Sequence, residues 1–229
     1  MLNKKLYLLL LLTVTLAGCN GLDYDWGTRL IYEGVVTNRD GEPLQNIVIK
    51  IHADDSYYDS EVIASAKTDE NGHFEIVFPP VKEIVTTTLL INRNEHERVY
   101  NAAYSNIAVT QLPQKNINDY KIDFGTIQLF EVQDATTLTV VVNNASVYDD
   151  YFFLTPAGLV DNQIIDYTAP LHPFYRDYDS NAQENTLTYY FKVAKNQLVH
   201  LRHRNAEETE YEDLEVPVDE LPVTVNIEY

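Results

Sequence analysis

From Leu30 onward the chain alternates apolar and polar side chains with a period of two. Ile47, Ile49 and Ile51 are interleaved with Val48, Lys50 and His52, and Phe74, Ile76 and Phe78 with Glu75 and Val77. Successive side chains of a strand point to opposite faces, so this spacing predicts half-buried β-strands and leaves no competing helical period. Asp40-Gly41 and Asn71-Gly72 stand between such runs, where hairpin turns require positive φ. Pro79-Pro80 ends the strand that Phe78 closes, because proline has no N–H to give to a ladder. Further strand-length runs cover residues 138–142, 151–154, 187–193, 198–204, 211–216 and 223–229. Their spacing predicts a second, immunoglobulin-like sandwich over 132–229, although a single larger all-β domain also fits this length.

The N-terminus departs from this pattern. Lys4 and Lys5 precede an apolar run from Leu6 to Leu16, well short of the roughly 20 residues that a spanning helix needs. Ala17-Gly18 follow, then Cys19, the sole cysteine of 229 residues. A positive region, an apolar region and small residues before a cut are the parts of a secretory signal. Leu16-Ala17-Gly18-Cys19 resembles the lipobox of bacterial lipoproteins. The resemblance implies a signal peptide over 1–18 and a diacylglyceryl group on the Cys19 thiol, with the new amine commonly acylated. Each buried methylene adds about 0.8 kcal/mol, so such a cysteine would hold the chain at a membrane. Residues 19–28 carry Gly21, Asp23, Asp25 and Gly27 with little alternation, and read as the lipidated cysteine and a short flexible tether in which Trp26 is the first anchoring contact. Asn20 stands where some bacteria read aspartate as inner-membrane retention, so the resemblance favours the outer membrane. Both of its sides stay open; Asp23 and Asp25 loosely resemble acidic surface-export signals and tip the balance outward.

A second resemblance covers 29–131. It rests on Tyr32-Glu33-Gly34-Val35-Val36-Thr37, on Asp40-Gly41-Glu42-Pro43-Leu44 leading into Ile47-Val48-Ile49, on Lys67-Thr68-Asp69-Glu70-Asn71-Gly72-His73-Phe74 ending at Phe78-Pro79, and on Asp123-Phe124-Gly125-Thr126-Ile127-Gln128-Leu129 as a closing strand. These segments resemble the carboxypeptidase regulatory-like, transthyretin-like β-sandwich, a family that implies a scaffold and brings no catalytic residue. Gly34 is expected to let the first strand bend or approach a neighbour closely. The stretch 81–120 is less regular than the family pattern. The fold class is therefore all-β: two tandem β-sandwich domains, transthyretin-like then immunoglobulin-like, behind a lipidated tether.

Charge narrows the partners. The chain carries 16 basic and 35 acidic side chains, a net charge of −19, and a cut at Cys19 would remove Lys4 and Lys5 with no acid. Nucleic acid is excluded as a natural partner, because binding it depends on counterion release by lysine and arginine. Anionic headgroups would repel the folded part, which leaves the acyl chains to hold it.

No catalytic constellation emerges. His96-Glu97 begins a His-Glu-x-x-His motif, but Tyr100 occupies the place of the second histidine. His200 and His203 are three apart on a predicted strand and so face opposite sides. No catalytic residue, cofactor or metal site is assigned, and an enzyme is the less favoured class. The candidate binding surface is the loop-rich stretch 148–178, where Tyr148, Tyr151, Tyr167, Tyr175 and Tyr178 are interleaved with aspartates including Asp177 and, just beyond, Asp179. Flat phenol rings and carboxylate acceptors suit wet recognition of sugars or peptides; the alternative is a solvated loop whose tyrosines cap a sandwich. Asp54-Asp55 and Asp177 with Asp179 also gather oxygen donors of the kind calcium takes, without EF-hand spacing. The expectation is a non-catalytic lipoprotein binding an envelope protein or glycan, perched as an accessory of an uptake or adhesion assembly. The alternative is a structural spacer bracing an envelope complex.

Overall fold

A computed structural model describes residues 22–54, 60–82, 85–143, 152–168, 186–205 and 210–228. Among them the chain is almost wholly strand and folds as all-β sandwiches. The first seven strands are β1 (Leu30–Thr37), β2 (Val48–Asp54), β3 (Ser60–Lys67), β4 (His73–Phe78), β5 (Thr86–Ile91), β6 (Ile107–Thr110) and β7 (Lys121–Gln128). The rest are β8 (Ala135–Asn143), β9 (Phe152–Ala157), β10 (Gln163–Asp166), β11 (Thr186–Ala194), β12 (Gln197–Asn205), β13 (Glu212–Val218) and β14 (Val223–Glu228). Sheets β4-β1-β7 and β10-β6-β5-β2-β3 face each other in lobe 1, and sheets β11-β8-β14 and β13-β12-β9 in lobe 2.

The period-two pattern is realised side chain by side chain. Ile47, Ile49 and Ile51 are buried, as are Phe74, Ile76 and Phe78, and they meet Tyr32 and Leu89 in one core. The Tyr32 and Phe78 rings meet edge to face at 4.8 Å, and the Tyr32 hydroxyl donates to Pro113 O at 2.8 Å, so its polar tip is satisfied. Lobe 2 closes on an aliphatic core in which Leu138, Val140 and Val142 of β8 meet Val199 and Leu201 of β12. Pro156 and Pro217 lie in β9 and β13, the two outer strands of their sheet, where a missing N–H costs no ladder bond.

The turn chemistry is as the sequence implies, but the pairing is not. Gly41 and Gly72 both have positive φ (84° and 73°). A Cβ on Gly72 would lie 2.3 Å from Val36 O, so only glycine fits there. Neither turn closes a hairpin, however: each carries the chain from one sheet of lobe 1 to the other, β1 to β2 and β3 to β4. Asn38 Oδ1 accepts the Asp40 and Glu42 N–H groups, and Asp69 Oδ1 accepts those of Asn71 and His73, which lets the backbone turn without ladder partners. At Gly34 the β1–β7 register shifts, and a Cβ would crowd Phe74 and Gly125 O, consistent with the close approach expected of it.

Three further differences separate the structure from the sequence reading. First, the tether is shorter than 19–28: Leu22 is buried with Ala53 and Val81, Tyr24 bridges Val81, and the Asp25 N–H donates to Pro80 O at 2.9 Å. Second, Trp26 is 67% exposed and does not anchor this segment; Leu22 and Tyr24 do. Third, β10 lies within the stretch read as loop and pairs in parallel with β6, so residues 163–166 extend the larger sheet of lobe 1 although they follow residue 132.

Candidate functional site

Strand directions give the molecule two ends. In lobe 1, β1 starts beside the N-terminal segment at Leu30 and finishes at Thr37 beside lobe 2; β7 runs parallel to it and leads into β8. In lobe 2, β8 starts at Ala135 next to the junction and ends at Asn143, opposite Thr186 of β11, a strand length of about 27 Å away. Phe152 pairs with Asn205 at that same far end. The near end of lobe 1 is the base and the far end of lobe 2 the tip.

Of the predicted binding residues, Tyr167 alone falls among the described ones; Cys19, Tyr148, Tyr151, Tyr175, Tyr178, Asp177 and Asp179 lie outside them, as does Asp55. Asp54 ends β2 and is exposed. Tyr167 follows β10 toward the base. Its N–H donates to Thr110 O at 3.0 Å and its ring meets Phe124 edge to face at 6.2 Å, with Phe124 in turn against Tyr32. Tyr167 thus packs one edge against the sandwich of lobe 1 and stays 42% exposed. It is not brought to the end of lobe 2 where Asn143 and Phe152 stand. Burial, with Tyr167 adding repulsion, pushes the Tyr32 phenol above its ordinary range, so it stays a neutral donor.

The junction between the lobes is the most organised polar region. Arg93, 4% exposed, donates to Asn162 Oδ1 at 2.5 Å and to Glu97 Oε1 at 3.3 Å. Asn106 gives both its backbone N–H and its side-chain amide to Asp161 Oδ1, at 3.1 and 2.9 Å. Burial lowers the pKa of Arg93, opposed by Glu97 and Asp161, and the pairing keeps the cation in place. On the other side Arg39, at the tip of the Asp-Gly turn, donates to the carbonyls of Lys195 and Asn196, while the Lys195 N–H donates to Asp134 O at 2.9 Å. Between these contacts lies a cleft of about 420 Å³ bordered by Asp40, Glu131, Asp134, Lys195 and Glu220. The Arg39 guanidinium is already spent on backbone carbonyls across the junction, so these contacts tie the lobes together. Sequence reading missed the junction because its members come from four separate stretches of chain.

The histidine pair behaves as strand geometry requires: His203 is buried and His200 exposed. On the outer face Arg202 holds Asp213 with two bonds of 2.7 Å, beside His200 and Glu215 over a groove of about 620 Å³. The hydrogen bond from Arg202 holds the Asp213 carboxyl below its ordinary range. Among the described residues no three His, Cys, Asp or Glu side chains are grouped to hold a metal ion, and no helix is long and apolar enough to cross a membrane.

No protein-family model matches the chain, and no curated protein matches its sequence. Similar solved structures include a 9R-lipoxygenase from Cyanothece PCC8801, 19% identical over 52% of this chain and 20% of that one, with a TM-score of 0.30. The Bacillus anthracis TIE protein is 11% identical, covering 88% of this chain and 34% of that one, at a TM-score of 0.31. A streptococcal ancillary pilin is 12% identical, covering 89% and 63%, at 0.32. The chain thus spans a fifth to just under two thirds of these proteins. With TM-scores this low, none of them fixes the function of this chain.

Proposed function

We propose that this is a non-catalytic lipoprotein, anchored to the outer membrane through acylated Cys19, whose locked β-sandwich lobes hold a tyrosine- and aspartate-bearing tip out to a protein or glycan of the cell envelope or its surroundings. The observation that carries the reading is the polarity of the molecule. The described fold begins at the base, at Leu22, and Asn143 and Phe152, which flank the segment bearing Tyr148 and Tyr151 in sequence, stand at the opposite end. An anchor at one end and recognition chemistry at the other suits a presenting role. The carboxypeptidase regulatory-like resemblance of lobe 1 fits a scaffold of this kind.

The lock of Arg39 and Arg93 favours a second reading, in which a stiff two-lobed body spaces an envelope complex. A photoreactive amino acid at position 151, crosslinked in intact cells, separates the two. Capture of a soluble glycan or an external protein supports the presenting role; capture of an integral envelope protein supports the spacer; no capture there, with capture from lobe 1, rejects the tip as the binding end. Protease treatment of whole cells decides the side: loss of the protein before lysis puts it outside, and protection puts it in the periplasm.

A further inference from the structure

We propose that the base of lobe 1 is a membrane-contact face, with Trp26 and Tyr120 in the headgroup layer and Arg29, Lys82 and Lys115 over the lipid phosphates. This rests on the lipid anchor proposed above. The packed fold begins at Leu22, and the three peptide units between Cys19 and Leu22 span at most about 11 Å when fully extended. The headgroup layer on each side of a bilayer is itself about 5–8 Å deep. An acylated Cys19 therefore brings the segment from Leu22 to Arg29 against lipid.

The side chains there suit that position. Trp26 is 67% and Tyr120 59% exposed, and these are the residue types that settle at membrane–water interfaces, apolar ring inward and polar edge in water. The Arg29 guanidinium lies 5.9 Å from the Trp26 ring centre and donates to Trp26 O at 3.0 Å, so a cation is fixed beside the aromatic wedge. Lys82 and Lys115 border a recess of about 460 Å³ that reaches Tyr120 and Val81. Arg29, Lys82 and Lys115 gather around Trp26 and Tyr120 in a chain of net charge −19, while Asp54 and Asp166 end β2 and β10 at the same base. Of the aspartates beside these cations, Asp23 already pairs with Lys82 at 2.9 Å and Asp25 accepts from Thr28 and Gly27. The three cations temper the general repulsion from anionic headgroups beside Trp26 and Tyr120. A consequence is orientation: the module stands on its base, with the tip of lobe 2 directed away from the bilayer.

Trp26 is the sole tryptophan of the chain, so its fluorescence reports this face alone. The full-length protein purified from expressing cells is placed in phosphatidylethanolamine–phosphatidylglycerol vesicles, with and without lipids brominated near the headgroup, and the mass of Cys19 is read from the same sample. Acylated protein whose emission falls about twofold or more with brominated lipid supports the proposal. Acylated protein whose emission does not change overturns it and leaves the anchor standing. An unmodified Cys19 overturns both. Arg29→Glu with Lys115→Glu, both at exposed positions, is expected to reduce the quenching by about half or more in the acylated protein; unchanged quenching refutes the phosphate contact.

Discussion

The two lobes close in the same way and are filled differently. In each, the first strand lies at the centre of a three-stranded sheet, antiparallel to one neighbour and parallel to the last strand of that sheet: β1 between β4 and β7, β8 between β11 and β14. Lobe 1 packs Tyr32, Phe74 and Phe78 among isoleucines, whereas lobe 2 relies on valine and leucine with Phe191. Lobe 1 also depends on a glycine that nothing else can replace, at position 72. A shared closure with different filling shows that chain path and side-chain choice are separable: burial sets how much each strand contributes, and the return of the last strand sets the topology.

Substitution tests that separation, beginning with the largest expected effect. Phe74→Ala is expected to destabilise by about 4 kcal/mol, and Leu201→Ala in lobe 2 by about 3 kcal/mol, since aromatic truncation removes more buried area and leaves the larger cavity. Denaturant titration gives both values; a greater loss in lobe 2 would reverse the ranking. Next is the lock. Arg93→Ala leaves Asn162 and Glu97 without their donor and is expected to cost about 2 kcal/mol. Calorimetry is expected to resolve two transitions in the variant against one in the intact protein, and hydrogen exchange to assign them to separate lobes; a single transition in the variant would mean that β10 and the contacts of Arg39, Lys195 and Asn106 couple the lobes without Arg93.

A smaller effect is expected from acid. The His52 imidazole is held below its ordinary value near 6.5 chiefly by burial, with Asp54 and Glu95 opposing and His96 and Lys50 assisting. The unfolded chain therefore takes up this proton first as pH falls. Stability present above about pH 6.5 is lost progressively below it, until the folded-state value is passed and the dependence ends. The melting temperature should fall between about pH 7.5 and 5.5, and His52→Gln should flatten that slope; an identical slope in the variant would assign it to other groups. The smallest effect is predicted for Asp213→Asn on the open face of lobe 2. Despite its two-bond geometry the pair with Arg202 is exposed, and chemical denaturation should show a loss below about 1 kcal/mol.

What could be read in the chain was local. The alternation of Ile47, Ile49 and Ile51, the strand stop at Pro79 and the opposite facing of His200 and His203 all follow from the pleat and from backbone chemistry, and each appears as expected. Positive φ at Gly41 and Gly72 was legible for the same reason. Of the candidate binding residues, the contact of Tyr167 with Phe124 of lobe 1 could not be read, because it joins residues far apart in sequence.

By itself the sequence determined the regularly alternating strands such as β2 and β4, their buried faces, the glycine turns and the acidic character of the chain, because these depend on side chains a few residues apart. Tertiary structure decided which sheet each strand joins: that the Asp-Gly turn crosses between sheets, that β10 serves lobe 1, that Leu22 rather than Trp26 seals the base, and that Arg39 and Arg93 fasten the lobes. Each of these is a pairing between distant segments, and a polar or apolar residue carries no local mark of the partner against which its buried face or hydrogen bond will be satisfied.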